Sequence, residues 1–558
     1  MTDSVFDDLL TQVGTGRWNI MFFISAGFWL MLMAPNVLSG AFLTPQVEHS
    51  CRPPAHAYLI TSTTHNTDPA NTSTTDKCFY HVNRTEGGGM QQEPCDAWVY
   101  DNSTFRSTIT SQFDLVCSSE YLRATFHSVY MFGSLIGSPL NGIFADRFGR
   151  KTTLILGVAM YFTAGIATTW LPSLALIFVF RFTCGLMHSS IMQSSYILAM
   201  EVCDPRQRSL VGIVLVFPWA VGTMIWAGMA YLLRDWRWLQ LAINLPAIFF
   251  FPTLWLLDES PRWLIVNGHF ERAQKVLKRA ARWNNVDLPP AEELDRLMKT
   301  IQKKSTKVKQ TAGDEHGNLA NYRNKLWRYF LTLFVLFRTP KLRSISLVMC
   351  LMFFMVSLIY YGLSLNAINY SADPFIYMAL SGLVELPSYT LMAPIVGRLG
   401  RKWPIIGCFL VCGTVILAVV FIPSGIQWMV MTLAMVGKMS IGAAFQAIYL
   451  YGMELFPTEV RLQGIGSATV ASRIGSMSSP FITEMLGPLY PSAPSLVFGL
   501  GAFVAGAGTM LLHETLGASL PDTIADLENS HRNHTSRLED DDKDTEMANL
   551  PTYENLAK

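Results

Sequence analysis

The stretch Asp146-Arg147-Phe148-Gly149-Arg150-Lys151, preceded by Gly142, is the best guide to the fold of this chain. A near-copy, Gly397-Arg398-Leu399-Gly400-Arg401-Lys402, returns about 250 residues later. Each copy separates two apolar segments, and charge this dense is too costly to place in hydrocarbon. Both copies are therefore predicted to be short turns at a membrane face, and basic turns of this kind are retained in the cytoplasm. Two copies at matching places indicate a duplicated membrane protein.

The composition also indicates a membrane protein. Half of the 558 residues are apolar and only 15% are charged, whereas soluble domains carry roughly a quarter. A membrane crossing needs about 20 mainly apolar residues. On that measure the sequence predicts twelve spans, at 19–42, 124–144, 152–171, 174–200, 209–233, 238–257, 343–363, 375–397, 404–423, 427–453, 462–486 and 494–513.

Two polar inserts interrupt the spans. The first precedes the second span, and the other is rich in Lys and Arg and follows the sixth span. Twelve spans place both termini and the Lys- and Arg-rich insert on the cytoplasmic side and the first insert outside, in agreement with the chemistry of each insert. The predicted organisation is a cytoplasmic N-terminus (1–18), a first six-helix half (19–257) with an extracellular loop (43–123), a cytoplasmic helical loop (258–342), a second half (343–513) and a disordered cytoplasmic tail (514–558).

The first insert has the chemistry of an extracellular loop. It holds Cys51, Cys78, Cys95 and Cys117, an even set that predicts two disulfides with three possible pairings. It also holds three glycosylation sequons, at Asn71, Asn83 and Asn102.

Charged residues recur at the cytoplasmic ends of corresponding spans. The segment 201–208 matches 454–461, and Glu259 matches Glu514. Pairing of Asp146 or Glu201 with a nearby arginine is predicted to latch the halves on the inside and to release as they rock; the alternative is that the charges only fix the topology. The predicted gating residues are Asp146, Arg147, Arg150, Glu201, Arg208, Arg398, Arg401, Glu454 and Arg461.

Other functional classes lack support in the sequence. No nucleotide-binding loop, metal motif or nucleophile motif occurs, so no cofactor, metal, nucleic acid or enzyme activity is expected, and gradients must supply the energy. The tail sequence 553–556, which begins at Tyr553, has the form of a signal for endocytic adaptors, or is a plain solvated tail. A monomer or weak oligomer is expected.

The repeated turn motif, at 142–151 and again at 397–402, resembles the signature of the major facilitator superfamily. Further runs resemble the organic cation, carnitine and organic anion transporter family (solute carrier 22), over roughly residues 5–525. The resemblance implies an all-α membrane protein with the major facilitator fold, twelve transmembrane helices in two six-helix halves. The runs that carry it are 259–264, 434–438, 449–451, 454–458, 516–517 and 520–523.

Ionisable residues inside spans are costly and are candidates for substrate contact. Glu385, Lys438 and Arg473 are the mid-span candidates. The resemblance implies Asp at the position of Arg473 in strict cation transporters and Arg in the anion and carnitine branches, and a guanidinium suits a carboxylate. The alternative is that Arg473 pairs internally with Glu385 or Glu484.

Glu385 with Tyr389 resembles the carnitine branch, because the anion branch has a Lys where Tyr389 stands. A free carboxylate beside an aromatic face would suit a quaternary ammonium group. Tyr361, Trp219 and Phe445 are the preferred aromatic contacts, although an aromatic stripe is also ordinary packing.

Asn36 resembles an asparagine that helps to hold sodium in the carnitine branch. That branch has a Gln where His188 stands, and imidazole is a poor ligand for a hard cation. Sodium coupling is therefore not favoured. His188 is a candidate proton sensor, or a hydrogen-bonded histidine between helices.

The sequence thus predicts a plasma-membrane transporter that moves organic cations or zwitterions, such as carnitine-like quaternary ammonium compounds, by alternating access. One alternative is an organic anion exchanger that uses Arg473. Another is a membrane receptor or scaffold that does not transport.

Overall fold

Twelve long helical spans form the bulk of the structure, a computed structural model that describes residues 4–52, 77–83, 90–311, 334–371, 373–423, 426–518 and 521–528. Spans 1–6 make up the first half. They are span 1 (Arg17–Val37, continued by Gly40–Leu43), span 2 (Tyr121–Phe148), span 3 (Arg150–Ala167), span 4 (Leu174–Glu201), span 5 (Arg208–Val214 and Phe217–Leu232) and span 6 (Trp236–Asn244, Pro246–Phe250 and Thr253–Leu256).

Spans 7–12 make up the second half. Their bounds fall within several residues of those expected from the sequence. They are span 7 (Pro340–Leu365), span 8 (Pro374–Leu399), span 9 (Lys402–Val420), span 10 (Gln427–Leu455), span 11 (Arg461–Phe481, continued by the π-helix Ile482–Leu486) and span 12 (Ala493–Met510).

Spans 2 and 11 differ from the rest in polarity. Ten helices in the described residues are long and apolar enough to cross a membrane, and these are the other ten spans. Spans 2 and 11 have the length, with helices of 28 and 21 residues, but carry more polar side chains. Their higher polarity follows from their position, since spans 2 and 11 pack against each other where the two halves meet.

The two copies of the opening motif form equivalent turns at one end of the bundle, which we call the motif face. Gly149 and Gly400 take positive φ angles of 97° and 86°, which favour glycine. Beside each turn lies a carboxylate from the end of the same half. Glu259 accepts the backbone N–H of Arg150 at 2.9 Å, and Glu514 that of Arg401 at 2.8 Å.

The opposite end of the bundle, the loop face, carries the described parts of the insert between spans 1 and 2. This insert contains two antiparallel strand pairs, which the all-α expectation did not include. Strand β1 (His49–Cys51) pairs with β4 (Trp98–Tyr100), and β2 (Phe79–Asn83) pairs with β3 (Met90–Pro94).

The four cysteines of the insert are paired as Cys51–Cys95 and Cys78–Cys117, which selects one of the three possible arrangements. The predicted acceptor Asn102 is exposed, and Asn83 ends strand β2. The acceptor Asn71 and the tail residue Tyr553 lie outside the described residues.

Short helices cover the motif face and the connections. The indole N–H of Trp18, at the start of span 1, donates to Asp258 at 3.1 Å and so ties span 1 to the segment after span 6. In the described residues, the helices outside the spans are Ser4–Val13, Ile109–Gln112, Pro261–Val266, Phe270–Asn284, Ala291–Thr311 and Ala367–Tyr370, with 3₁₀ turns at Cys117–Ser119, Thr168–Trp170 and Phe334–Phe337.

Candidate functional site

The charged residues of the motif face form one cluster in each half. In the first half, Arg150 lies 2.9 Å from Asp146 and 3.5 Å from Glu201. In the second half, Arg401 lies 2.9 Å from Glu454. Glu201 and Glu454, which the sequence analysis matched, thus contact equivalent arginines, whereas the position that matches Asp146 is Gly397.

In this conformation each of these pairs lies within one half and does not join the halves, so a latch that forms in another conformation stays a prediction. The remaining predicted gating residues also stay within their own half. Arg208 pairs with Asp7 at 2.7 Å, Arg461 donates to the Phe456 carbonyl at 3.2 Å, and Arg147 and Arg398 are exposed.

The Glu514 carboxylate stabilises the start of span 9. Burial alone would raise the pKa of Glu514, but hydrogen bonds from the amides of Arg401, Leu516, Thr515 and Lys402 outweigh burial and lower it. A lowered folded-state pKa adds stability above the unfolded-state pKa, and this stability is lost as pH falls through the folded-state pKa.

We therefore expect Glu514→Gln to lower the melting temperature at pH 7, by the equivalent of about 1 kcal/mol for a lost helix cap. The gap to the unsubstituted protein should close on acidification. Thermal melts of detergent-solubilised protein between pH 7 and pH 4 measure both effects, with the exposed Asp287→Asn as control. A gap that does not change with pH would contradict this role.

Two polar contacts between the halves lie toward the loop face. The Ser128 hydroxyl of span 2 donates to the Met477 carbonyl of span 11 at 2.7 Å. The buried Arg123, also of span 2, lies 3.4 Å from Glu484 at the end of span 11. The loop face is therefore closed in this conformation.

Near the middle of span 8, Glu385 is enclosed by groups that neutralise it. Lys438 of span 10 places Nζ 3.3 Å from Oε1, and both side chains are only 1% exposed. The Tyr360 hydroxyl donates to Oε1 at 2.5 Å, and the Tyr389 hydroxyl donates to Oε2 at 3.1 Å. The carboxylate thus already has one cation and two hydrogen-bond donors.

The same cluster also holds Lys438 and reaches the first half. Lys438 Nζ donates to the Ser364 hydroxyl and lies 3.1 Å from the centroid of the Tyr360 ring. The Trp219 indole N–H of span 5 donates to the Tyr360 hydroxyl at 3.1 Å. Trp219 therefore lies beside the buried ion pair.

The structure contradicts the expectation that Glu385 is a free carboxylate for a cationic substrate. The sequence analysis selected Glu385, Lys438 and Tyr389 as substrate contacts, and in the structure Lys438 and Tyr389 both contact Glu385. A cation would have to displace Lys438 from a buried pair, and an uncompensated buried charge is costly.

Unlike Glu385, Arg473 of span 11 is not neutralised by a neighbouring charge in the described residues. Its Nη1 lies 3.8 Å from the Met131 sulfur of span 2, and its guanidinium neighbours the Tyr361 hydroxyl. Its Nε is buried with no hydrogen-bond partner. In the part of the chain that the structure describes, no carboxylate pairs with it: Glu385 pairs with Lys438, and Glu484 with Arg123.

Aromatic rings surround this region. The Phe445 ring centroid lies 5.8 Å from that of Tyr360 and 5.7 Å from that of Tyr449, and Tyr361 lies 5.3 Å from Tyr360. Tyr361 and Phe445 were expected as contacts, and Tyr449 joins them as the most exposed of the group, at 36%. Together these rings form an apolar wall beside Arg473.

Asn36 is fully buried within the first half. Its amide donates to the Asn244 side chain at 3.1 Å, and its carbonyl accepts both terminal nitrogens of Arg181 at 3.2 Å. A guanidinium this close opposes a sodium ion by direct repulsion. The predicted role of Asn36 in substrate or cation binding therefore lacks support from its surroundings.

Arg181 is the residue that the sequence analysis missed. It lies in span 4, is 1% exposed, and stacks on the rings of Phe126 and Tyr130 at 4.3 and 4.6 Å. The rule that selected Arg473, an ionisable residue inside a span, would also have found Arg181.

Comparisons with known proteins agree with this architecture. The model of the "Sugar (and other) transporter" family matches residues 62–523. Among solved structures, the inward open xylose transporter XylE from E. coli superposes with a TM-score of 0.59 at 14% identity, over 90% of this chain and 97% of that chain. The XylE structure bound to 6-bromo-6-deoxy-D-glucose gives a TM-score of 0.56 at 15% identity, over 90% and 98%.

Curated relatives match nearly the whole chain. The organic cation transporter protein of Drosophila melanogaster is 30% identical over 94% of each chain. Organic anion transporter 3 of Oryctolagus cuniculus is 32% identical over 94% of each chain, and solute carrier family 22 member 6 of that species is 33% identical over 95% of this chain and 96% of its own. The chain therefore belongs to the solute carrier 22 family of transporters, which has the all-α major facilitator fold, and is not an enzyme.

Proposed function

We propose that this chain transports organic anions, and that Arg473 binds their carboxylate or equivalent group. The observation that carries the proposal is a guanidinium at the interface between the halves with no counter-ion in the described residues. Arg473 is partly buried with its Nε enclosed, and a cation in such surroundings without a partner is costly. A substrate carboxylate would remove that cost by forming charge-assisted hydrogen bonds with the planar fork.

The balance of charge near Arg473 supports an anion. Glu385 and Lys438 cancel each other, whereas Arg181 has aromatic rings and a carbonyl as its neighbours. The central region thus carries an excess of positive charge, and low-dielectric surroundings strengthen its attraction for an anion.

The aromatic wall supports an amphipathic substrate. Tyr361, Phe445 and Tyr449 can pack against an apolar body while Arg473 holds the charged end. Ligand sites commonly combine an apolar lining with a few placed polar groups. Of the cited relatives, one is named an organic anion transporter and another is named a member of solute carrier family 22.

Transport would proceed by alternating access, with the loop face outside and both termini in the cytoplasm of a plasma-membrane protein. The disulfides and sequons of the insert support this orientation. In the present conformation Arg123–Glu484 and Ser128–Met477 close the outer side. These contacts would have to break when the site opens outward.

Close packing of span 8 on span 5 permits this closure and predicts an effect of Gly382. A Cβ at Gly382 would lie 2.8 Å from the Ala220 carbonyl oxygen and 2.9 Å from Met224 Cγ. Gly382→Val is therefore expected to prevent closure of the loop face and to reduce uptake at least about tenfold, because overpacking costs about 1–3 kcal/mol. Initial uptake rates in proteoliposomes measure the effect.

Gly407→Val is the matched control, because a Cβ at Gly407 meets nothing within 4 Å. Its uptake should equal that of the unsubstituted protein. Accessibility of an engineered cysteine in the central region to an external, membrane-impermeant thiol reagent should rise in Gly382→Val. Normal uptake by Gly382→Val would contradict this account of closure.

A zwitterion is the second candidate, in keeping with the sequence analysis. Its carboxylate would bind Arg473 and its ammonium group would lie on the aromatic faces, without using Glu385. The relative named an organic cation transporter keeps this candidate open.

A three-substrate uptake experiment separates the candidates. Cells that express the chain are tested with radiolabelled para-aminohippurate, carnitine and tetraethylammonium. The proposal expects uptake of para-aminohippurate. Uptake of carnitine alone would favour the zwitterion, and uptake of tetraethylammonium alone would overturn both.

A further inference from the structure

Three buried side chains inside the first half, those of Tyr161, Tyr130 and His188, form a row of hydrogen bonds. The hydroxyls of Tyr161 (span 3) and Tyr130 (span 2) are 2.9 Å apart. The Tyr130 hydroxyl is in turn 2.9 Å from Nδ1 of His188 in span 4. All three residues are buried, with His188 at 3% exposure.

Tyr161 determines which group donates and which accepts in each hydrogen bond of this row. It is fully buried, and within the described residues its hydroxyl has one hydrogen-bond partner, Tyr130. A buried O–H that donates to nothing is costly, so Tyr161 donates to Tyr130. Tyr130 then gives its own hydrogen to Nδ1 of His188. The imidazole consequently accepts at Nδ1 and carries its hydrogen on Nε2.

Tyr130, the central residue of this row of hydrogen bonds, is held in one orientation. The Arg181 guanidinium stacks over the Tyr130 ring at 4.6 Å and over Phe126 at 4.3 Å, and it is anchored on the Asn36 carbonyl. Tyr130 is thereby fixed on one side by span 4 and on the other by its hydrogen bonds. The orientation of the His188 ring follows from that of Tyr130.

The N–H of His188 lies in span 4, which packs on span 2, and span 2 in turn packs on span 11, which carries Arg473. Nε2 has no hydrogen-bond partner among the described residues, yet it is not sealed within protein atoms. Arg473 contacts Met131, the residue that follows Tyr130, and Tyr130 is the hydrogen-bond partner of His188. An oriented donor from the first half therefore lies near a cation from the second half.

We propose that His188 is a specificity-determining residue whose Nε2–H donates a hydrogen bond to the anionic group bound by Arg473. The inference rests on the proposed function and extends it to the geometry of the ligand. An anion with two or more oxygens, such as a carboxylate or sulfonate, can bridge His188 and Arg473. Binding then joins the two halves through the substrate.

In this role His188 donates a hydrogen bond in a fixed direction and does not carry a proton from one group to another. Among the described residues, the groups that face His188 and its partners are Arg473, Arg181, Tyr130, Tyr161, Tyr361 and Cys184. None of them is a carboxylate that could pass a proton to the imidazole. Replacing His188 by another N–H donor should therefore leave the pH profile of uptake unchanged.

The test measures KM and kcat for para-aminohippurate in His188→Leu, His188→Gln, Tyr161→Phe and the double variant His188→Leu/Tyr161→Phe. We expect His188→Leu to raise KM about 10- to 100-fold, the equivalent of one hydrogen bond to a charged group. His188→Gln should stay within about threefold, because its amide retains an N–H donor. Surface abundance and melting temperature serve as controls for folding.

Tyr161→Phe provides the sharper readout, because Tyr161 sets the donor direction from a distance. It should raise KM severalfold when His188 is present and have no further effect in the double variant, since the two act through one interaction. Additive effects, equal loss in His188→Gln and His188→Leu, or a changed pH profile in His188→Gln would overturn the inference. Absence of anion uptake by the unsubstituted protein would instead overturn the proposed function itself.

Discussion

Arg473→Ala is expected to reduce the uptake of para-aminohippurate at least about 100-fold, because two charge-assisted hydrogen bonds are worth about 1.5–3 kcal/mol each. The guanidinium has no carboxylate partner in the described part of the chain, so its removal breaks no internal ion pair. The loss should therefore appear in transport and not in folding. Melting temperature and surface abundance should stay near those of the unsubstituted protein.

Arg473→Lys should recover part of the uptake, because an ammonium group keeps the charge but not the planar fork. Arg272→Ala, which removes an exposed arginine from the helix Phe270–Asn284, is the charge-matched control and should transport normally. Equal uptake by Arg473→Ala and the unsubstituted protein would contradict the role of Arg473. A lower melting temperature would indicate that the guanidinium supports the fold instead.

The second large effect is expected from the buried pair Glu385–Lys438. Either Glu385→Gln or Lys438→Met alone should destabilise the protein by about 3–5 kcal/mol, because each leaves an uncompensated buried charge. The double variant should recover most of that stability. Thermal melts of solubilised protein and the yield of monodisperse protein measure these differences.

The exposed pair Asp295–Lys299, 2.6 Å apart in the helix Ala291–Thr311, is the matched control. Single substitutions there should change stability by less than about 1 kcal/mol. A Glu385→Gln protein that is as stable as the unsubstituted one, but has lost uptake of tetraethylammonium, would show that Glu385 is a cation site after all.

The sequence predicted the parts of the fold that depend on local pattern. Apolar length located the twelve spans, and the repeated turn around Gly149 and Gly400 identified the two halves. The match of Glu259 with Glu514 was visible as a repeat, and both accept the amides of equivalent turns. Such features need only neighbouring residues or a comparison of the two halves.

The pairing of charges between spans was not predictable in the same way. Glu385, Lys438 and Tyr360 lie on spans 8, 10 and 7, and their contact depends on how those helices are rotated and tilted against one another. The sequence gives the period of a helix but not the angle at which it packs. For this reason the carboxylate was interpreted as open, and the state of Arg473 was left between a ligand contact and an internal pair.

The predicted latch between the halves on the motif face stays a prediction for a related reason. Asp146, Glu201 and Arg150 have complementary charges, and sequence alone does not tell whether they pair within a half or across the two. Contacts that do cross the halves, such as Arg123–Glu484 near the span ends and Trp219–Tyr360 beside Glu385, involve residues that no repeated motif marks.

The most direct measurement of the central claim is the affinity of purified protein for para-aminohippurate compared with its uncharged amide. The two ligands have nearly the same shape and differ in the anionic group that Arg473 is proposed to bind. The account predicts that the acid binds at least about 100-fold more tightly, which is roughly 2.7 kcal/mol, and that the difference disappears in Arg473→Ala. Equal affinities in the unsubstituted protein, or a preference that persists in Arg473→Ala, would contradict it.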